Sequence, residues 1–297
     1  MNTTRCTACG TENAPDHKFC KECGGRLKTA ASVTPASAPD QAVRATDDPG
    51  SRAFQYGLKG LYDEAIVEYI RALRPHPGNA ELHFQLGSIY KKKDLIKSAI
   101  GELNRTLEID PDHFKALLTL GNIYGEDVRD HRRAIEMYER AVTLMPDYPD
   151  LRNNLGNAYR FIGEYEKAVE QFEKAIDLNP AYARALFNLG KALFKLERFE
   201  EAEVRYRRAI EIDANHPKAH KSLGVTLLAL GRHEEALTPL LKAIELNPDY
   251  PRAHFYLAKL YEHLGLAEKS KRHAETVLRL DPDLAETEEF LKQFVKA

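Results

Sequence analysis

The sequence predicts an all-α chain of stacked helical hairpins, preceded by a small metal-binding module on a tether. Three observations predict it. Small and aromatic residues recur every 34 or 35 residues from about residue 46 to near the C-terminus. Each period holds two stretches whose apolar residues follow helical spacing. All four cysteines of the 297-residue chain form two CxxC pairs before residue 24.

The cysteine pairs come first: Cys6-Thr-Ala-Cys9 and Cys20-Lys-Glu-Cys23, ten residues apart. Each CxxC puts two thiolates on one tight turn, within reach of a shared tetrahedral ion. Four thiolates leave no open coordination position, the pattern of a structural rather than a catalytic metal. A segment of this size, with Phe19 and Leu27 almost its only large apolar side chains, cannot fold by apolar burial alone. Metal binding would supply on the order of 10 kcal/mol. Zinc is the expected ion; iron in a rubredoxin-like site is the main competitor, with a redox dithiol pair or disulfides as further alternatives. The stretch CTACGTENAPDHKFCKECGGRL resembles the short zinc-ribbon modules of many prokaryotic proteins, with a shorter loop than is commonest, and residues 1–28 are assigned to that module.

Residues 29–47 are Ala, Ser, Thr and Pro with almost no large apolar side chain. Such a stretch cannot offset its ordering entropy by burial and reads as a flexible linker, spanning about 25 Å on average. Asp48-Pro49 then opens a helix, with Asp as N-cap and Pro at the first helical position.

The repeat dominates the rest. A glycine recurs at Gly87, Gly121, Gly156, Gly190 and Gly224, with Ala258 next, at intervals of 34, 35, 34, 34 and 34. An aromatic or leucine follows three residues later, from Tyr90 to Tyr261. Small residues recur at Ala65, Ala99, Ala134, Ala168, Ala202, Ala236 and Ser270, and proline closes most periods. In the clearest period the helices are expected at Asp150 to Ile162 and Tyr165 to Leu178, with Gly163 at the turn. One hairpin cannot cover its own apolar face, so it stacks on the next.

This pattern resembles the tetratricopeptide repeat family, over residues 46–284 and in about seven units: 46–79, 80–113, 114–148, 149–182, 183–216, 217–250 and 251–284. The resemblance implies a right-handed superhelical solenoid. In the first unit Ala53 replaces the glycine and Gly57 is expected to interrupt the first helix; in the third, a one-residue insertion falls near Arg129-Asp130. Residues 285–297 are expected to form one C-terminal capping helix whose Phe290, Leu291, Phe294 and Val295 cover the last repeat.

The resemblance also implies that the first helix of each hairpin lines a concave groove binding extended peptides or partner helices. The candidate groove residues are Asn122, Asn154, Asn157, Arg184, Asn188, Lys191, Lys221, Tyr256 and Lys259, with Asn153, Arg160, Lys195, Lys218, Ser222 and Arg252 on the same faces. Mid-helix asparagines compete for backbone hydrogen bonds, and a ladder of amides can instead bond a ligand's backbone. The neighbouring cations favour acidic side chains or a C-terminal carboxylate. The family's two-carboxylate clamp for chaperone C-termini is matched at Asn157 and Asn188, but Asn153 stands where it needs lysine.

The expected function is therefore a non-catalytic protein–protein interaction scaffold with a structural zinc ion. The alternatives are a regulatory or substrate-recruiting subunit of an enzyme complex, or a nucleic-acid-associated adaptor using the zinc ribbon. The chain shows no P-loop, GxGxxG, GxSxG or HExxH motif. A formal net charge of -2 argues against a nucleic-acid partner. Apolar runs such as Leu223 to Leu230 are far too short for a membrane span, and the N-terminus lacks an apolar signal core, so a cytoplasmic location is expected.

Overall fold

The computed structural model describes residues 4–5, 12–13, 48–287 and 289–295. Cys6, Cys9, Cys20 and Cys23 and the linker over 29–47 lie outside the described residues. Strands β1 (Thr4–Arg5) and β2 (Glu12–Asn13) pair antiparallel, Thr4 opposite Asn13 and Arg5 opposite Glu12. Everything else described is helix and turn. The chain divides into two compact units, Met1–Ala158 and Tyr159–Ala297.

In the N-terminal unit, α1 (Pro49–Leu58) packs on α2 (Tyr62–Leu73), α3 (Ala80–Lys92) on α4 (Ile96–Ile109), and α5 (Phe114–Asn122) on α6 (His131–Leu144). Each hairpin also meets the next, α2 against α3 and α4 against α5. Helix α7 (Pro149–Phe161) carries the boundary between the units. The C-terminal unit contains α8 (Tyr165–Leu178), α9 (Ala183–Lys195), α10 (Phe199–Ile212), α11 (Pro217–Ala229), α12 (His233–Leu246), α13 (Pro251–His263) and α14 (Ala267–Leu280). There α9 packs on α10, α11 on α12 and α13 on α14, with α8 against α9, α10 against α11 and α12 against α13.

The helix starts are written locally. Asp48 caps α1 by accepting the Ser51 N–H at 3.0 Å, and Asn79 caps α3 through the Leu82 N–H at 3.2 Å. At α5 and α11 the capping acceptor is a histidine: His113 Nδ1 accepts from Ala116 N–H at 3.2 Å and His216 Nδ1 from Ala219 N–H at 3.1 Å. Both rings lean on a phenylalanine, Phe84 at 4.9 Å and Phe187 at 4.8 Å between centroids. These histidines thus satisfy orphan helix donors while packing hairpin against hairpin.

Gly57 does not interrupt α1, which runs unbroken from Pro49 to Leu58. It is buried, and a Cβ there would lie 2.9 Å from Ile89 Cδ1 of α3, so the glycine serves close packing rather than a break. The insertion in the third period is absorbed in a π-helical turn over Ile123–Asp127, closed by Val128 N–H to the Ile123 carbonyl at 2.9 Å. One wide turn takes up one extra residue without breaking the helix pairing. Arg129 follows in the left-handed region at φ 60°.

The C-terminal stretch is two short helices, α15 (Pro282–Thr287) and α16 (Glu289–Val295), in place of a single helix over 285–297. Asp281 accepts the Leu284 N–H at 3.0 Å, so this helical stretch starts before residue 285. Buried Leu284 and Leu291, with Phe290 and Phe294 against them, pack on Phe255, Ala258, Ala274 and Val277 of α13 and α14. The apolar face of the last long hairpin is thereby covered.

Candidate functional site

Helix α9 places Phe187, Lys191 and Phe194 four and three residues apart, on one face, and Lys195 borders them. Helix α11 adds Lys218, Lys221, Ser222 and Val225 by the same spacing. These two faces, with Arg160, Tyr206, Tyr250 and Tyr256, line a cleft of about 370 Å³ within the C-terminal unit. Five of its twelve lining residues are cationic, five are aromatic and none is a carboxylate.

That composition raises the electrostatic cost of the cleft's own charges. Burial, then repulsion from Arg160, Lys221 and Lys218, pushes the Lys191 ammonium down to about 8. Lys221 is lowered too, first by burial and then by Arg252 and Lys218. Burial likewise lowers Arg160 and raises the Tyr206 and Tyr250 phenols. Lys191 Nζ stands 5.4 Å from the Phe187 ring centroid, a cation–π contact that offsets part of its lost hydration. An incoming anion would favour the charged forms of Lys191, Lys221 and Arg160 together.

The cleft continues into a second of about 550 Å³, which shares Phe194, Val225 and Tyr256 and adds Leu228, Leu260, Lys259 and a stacked pair, His233 and His263, with centroids 4.0 Å apart. A cationic compartment thus opens onto a largely apolar one. The N-terminal unit holds a wider cleft of about 830 Å³ between the turns around Pro75–Glu81 and Ile109–Lys115. Three of its polar side chains are engaged within the protein: His113 caps α5, Asp110 accepts the Asp112 N–H at 3.3 Å, and Glu81 meets His113 Nε2 at 3.4 Å.

Of the residues expected from sequence, Lys191, Lys221 and Tyr256 come together in the cationic cleft and Lys259 lines its extension. Arg184 is exposed on α9 but lines neither cleft. Asn188 is only 6% exposed, on the buried side of α9, so it presents little of its amide to a ligand. In the N-terminal unit the predicted amide ladder bonds to itself. Asn122 Oδ1 accepts from Tyr138 Oη–H at 2.7 Å and from Asn154 Nδ2 at 3.3 Å, and Asn154 Oδ1 accepts from Asn153 Nδ2 at 3.4 Å. Asn153 is buried and Asn157 half-buried on α7. Among the described residues no group of three His, Cys, Asp or Glu side chains is placed to hold a metal ion.

The hairpins match known family models. The model described as TPR repeat matches residues 56–94, 156–197, 190–231 and 226–265, and the one described as Tetratricopeptide repeat matches 80–113, 114–148 and 251–284. The chain belongs to the tetratricopeptide repeat family. Among relatives of this tetratricopeptide repeat chain, the BBSome complex member BBS4 of Bos taurus is 32% identical over 102 residues, 34% of this chain and 20% of that protein. The chain therefore spans about a fifth of that relative's length. Among solved structures, MamA is similar at 27% identity and a TM-score of 0.54, over 57% of this chain and 92% of that one. The C-terminal part of a TPR repeat-containing protein from Cytophaga hutchinsonii reaches a TM-score of 0.66 at 17% identity, over 83% of this chain and 99% of that one, a likeness of fold alone.

The aromatic half of the cleft escapes sequence reading. Phe187, Phe194, Tyr206 and Tyr250 look like core residues filling space between repeats. The signal that separates them is their phase: Phe187 and Phe194 share the face of Lys191, whereas the buried core of α9 is Leu186, Leu189 and Leu193. Among the described residues no helix is long and apolar enough to cross a membrane.

Proposed function

We propose that this tetratricopeptide repeat chain is a non-catalytic scaffold that holds an acidic segment of a partner protein in the cationic, aromatic cleft of its C-terminal unit. One observation carries the reading: five cations and five aromatic rings line the cleft without a single carboxylate. A carboxylate-bearing segment supplies countercharge to Lys191 and Lys221, and its apolar neighbours have Phe194, Val225, Leu228 and Leu260 to pack against. Membership of the repeat family supports a partner-binding role, as does likeness to a relative named as a member of a protein complex.

On this reading the repeats form seven units between residues 46 and 284, with α15 and α16 as the cap. Cys6, Cys9, Cys20 and Cys23 hold a structural zinc ion; the four-thiolate donor set fits that ion, and the β1–β2 pairing brackets the first CxxC in sequence. The zinc is structural, and the chain acts as a cytoplasmic adaptor that needs no nucleic acid.

Fluorescence anisotropy with a labelled peptide alternating glutamate and phenylalanine tests the cleft. Binding should weaken with added salt and fall at least about tenfold in Lys191→Gln/Lys221→Gln, since each desolvated charge contact is worth roughly 1.5–3 kcal/mol. A double variant that binds as wild type contradicts the assignment.

A further inference from the structure

Lys191 has a second property that peptide binding does not require. Its Nζ lies in a cleft with Arg160, Lys218 and Lys221 and over the Phe187 ring. Among the described residues no carboxylate lies within salt-bridge distance of it, whereas the more exposed Lys174 and Lys242 are paired with Glu170 and Glu245. An amine crowded by cations against an aromatic wall is the environment that activates lysine nucleophiles, because it favours the free base over the ammonium. The cations that disfavour its charge are also placed to hold an anion beside it.

We propose that Lys191 is a modification site, acylated by a small acyl phosphate whose phosphate the neighbouring cations of the cleft hold. The free Nζ attacks the acyl carbon, and a C–N bond forms as the C–O bond to phosphate breaks. Inorganic phosphate leaves with the bonding pair, and the extra proton on nitrogen passes to phosphate or water. No electron acceptor or donor is needed. The product amide is neutral, so the cleft loses one of its five positive charges and its attraction for an acidic segment falls. Acylation is thereby a switch on the cleft. The depressed Lys191 ammonium supports this, since it leaves a substantial free-base fraction near neutral pH.

The test uses the full chain and acetyl phosphate at pH 7.5, with site-resolved rates from peptide mass spectrometry. Lys195, exposed at the rim of the same cleft rather than inside it, is the internal control, matched in surroundings but not in burial. Lys191 should acetylate roughly tenfold faster than Lys195, the gain in free amine outweighing its lower intrinsic nucleophilicity. Added inorganic phosphate should slow Lys191 selectively. Uncharged N-acetoxysuccinimide should keep Lys191 ahead of Lys195 but by a smaller ratio. Equal rates at the two lysines with both reagents overturn the proposal. An equal preference with both reagents, unmoved by phosphate, overturns the acyl phosphate assignment. The experiment contains no peptide, so a failure of peptide binding leaves its outcome unaffected.

Discussion

The Tyr206 ring of α10 lies so close to Gly190 of α9 that a Cβ on the glycine would stand 2.7 Å from Tyr206 Cε1. The same relationship recurs at Gly87 with Leu103 and at Gly224 with Leu240, each partner sixteen residues on. At Gly121 the partner is Tyr138, seventeen residues on, because the π-helical turn lies between. The repeating glycine is therefore dictated by a side chain on the second helix of its hairpin.

Gly190→Ala should destabilise the C-terminal unit. Tyr206 is 2% exposed and cannot swing away, so overpacking costs about 1–3 kcal/mol and exceeds the helix-propensity gain of about 1 kcal/mol. Urea denaturation of wild type and variant measures the difference. An unchanged midpoint would mean the close approach is not a constraint.

The turns between paired helices carry a different constraint. Gly60, Gly163, Gly231 and Gly265 hold positive φ there, and Glu197 takes the same geometry at φ 59° without being glycine. Glu197→Gly should stabilise by about 0.5–1 kcal/mol, the relief of left-handed strain exceeding the added unfolded-state entropy. Asp94→Gly, from φ 60°, should gain less because aspartate tolerates that region better. Thermal melts of the two variants check the ranking.

His273 faces His254, Nδ1 to Nδ1 at 2.8 Å, and His254 Nε2 reaches the Pro248 carbonyl at 2.8 Å. At the Nδ1–Nδ1 contact one ring donates and the other accepts, so the two rings share a single hydrogen there. Burial, then the charges of His254 and Arg272, pushes His273 from 6.5 to about 4. Between these values the unfolded chain binds a proton that the folded chain refuses. The stability is complete above about pH 6.5 and is lost progressively as pH falls toward 4. His273→Gln should flatten the melting temperature over that window relative to wild type; parallel curves would remove the histidine from the account.

Metal analysis of the purified chain should find about one zinc ion, lost in Cys9→Ser/Cys20→Ser. The melting of the helices should not follow the loss, because the linker composition uncouples the two parts. Iron in place of zinc, with its visible absorption, would correct the ion.

Much of this was legible because packing imposes it at fixed intervals. Helix α8 begins and ends where periodicity places it, at Tyr165 and Leu178, since the Gly163 turn before it, Asn179-Pro180 after it and its buried face are all local signals. What was not legible depends on partners distant in sequence. Gly57 reads as a helix breaker until Ile89 is seen against it. The asparagines read as ligand donors until Asn122, Asn154 and Tyr138 are seen bonded together. The cations of the cleft, Phe187, Phe194 and Tyr256 share readable helix phases, but Tyr206 and Tyr250 reach the cleft from outside those faces and could not be read that way.

An acidic partner segment seated in the cleft of the C-terminal unit lies within reach of a light-activated side chain there. Photocrosslinking tests this placement most directly, with benzoylphenylalanine in place of Phe194 inside the cleft or of Val204, exposed on α10, as the control. Partner peptides rich in Asp and Glu should attach at position 194, be absent at 204, and be lost when Lys191→Gln/Lys221→Gln is added. Attachment of neutral or basic segments at 194, or equal capture at both positions, would contradict the placement.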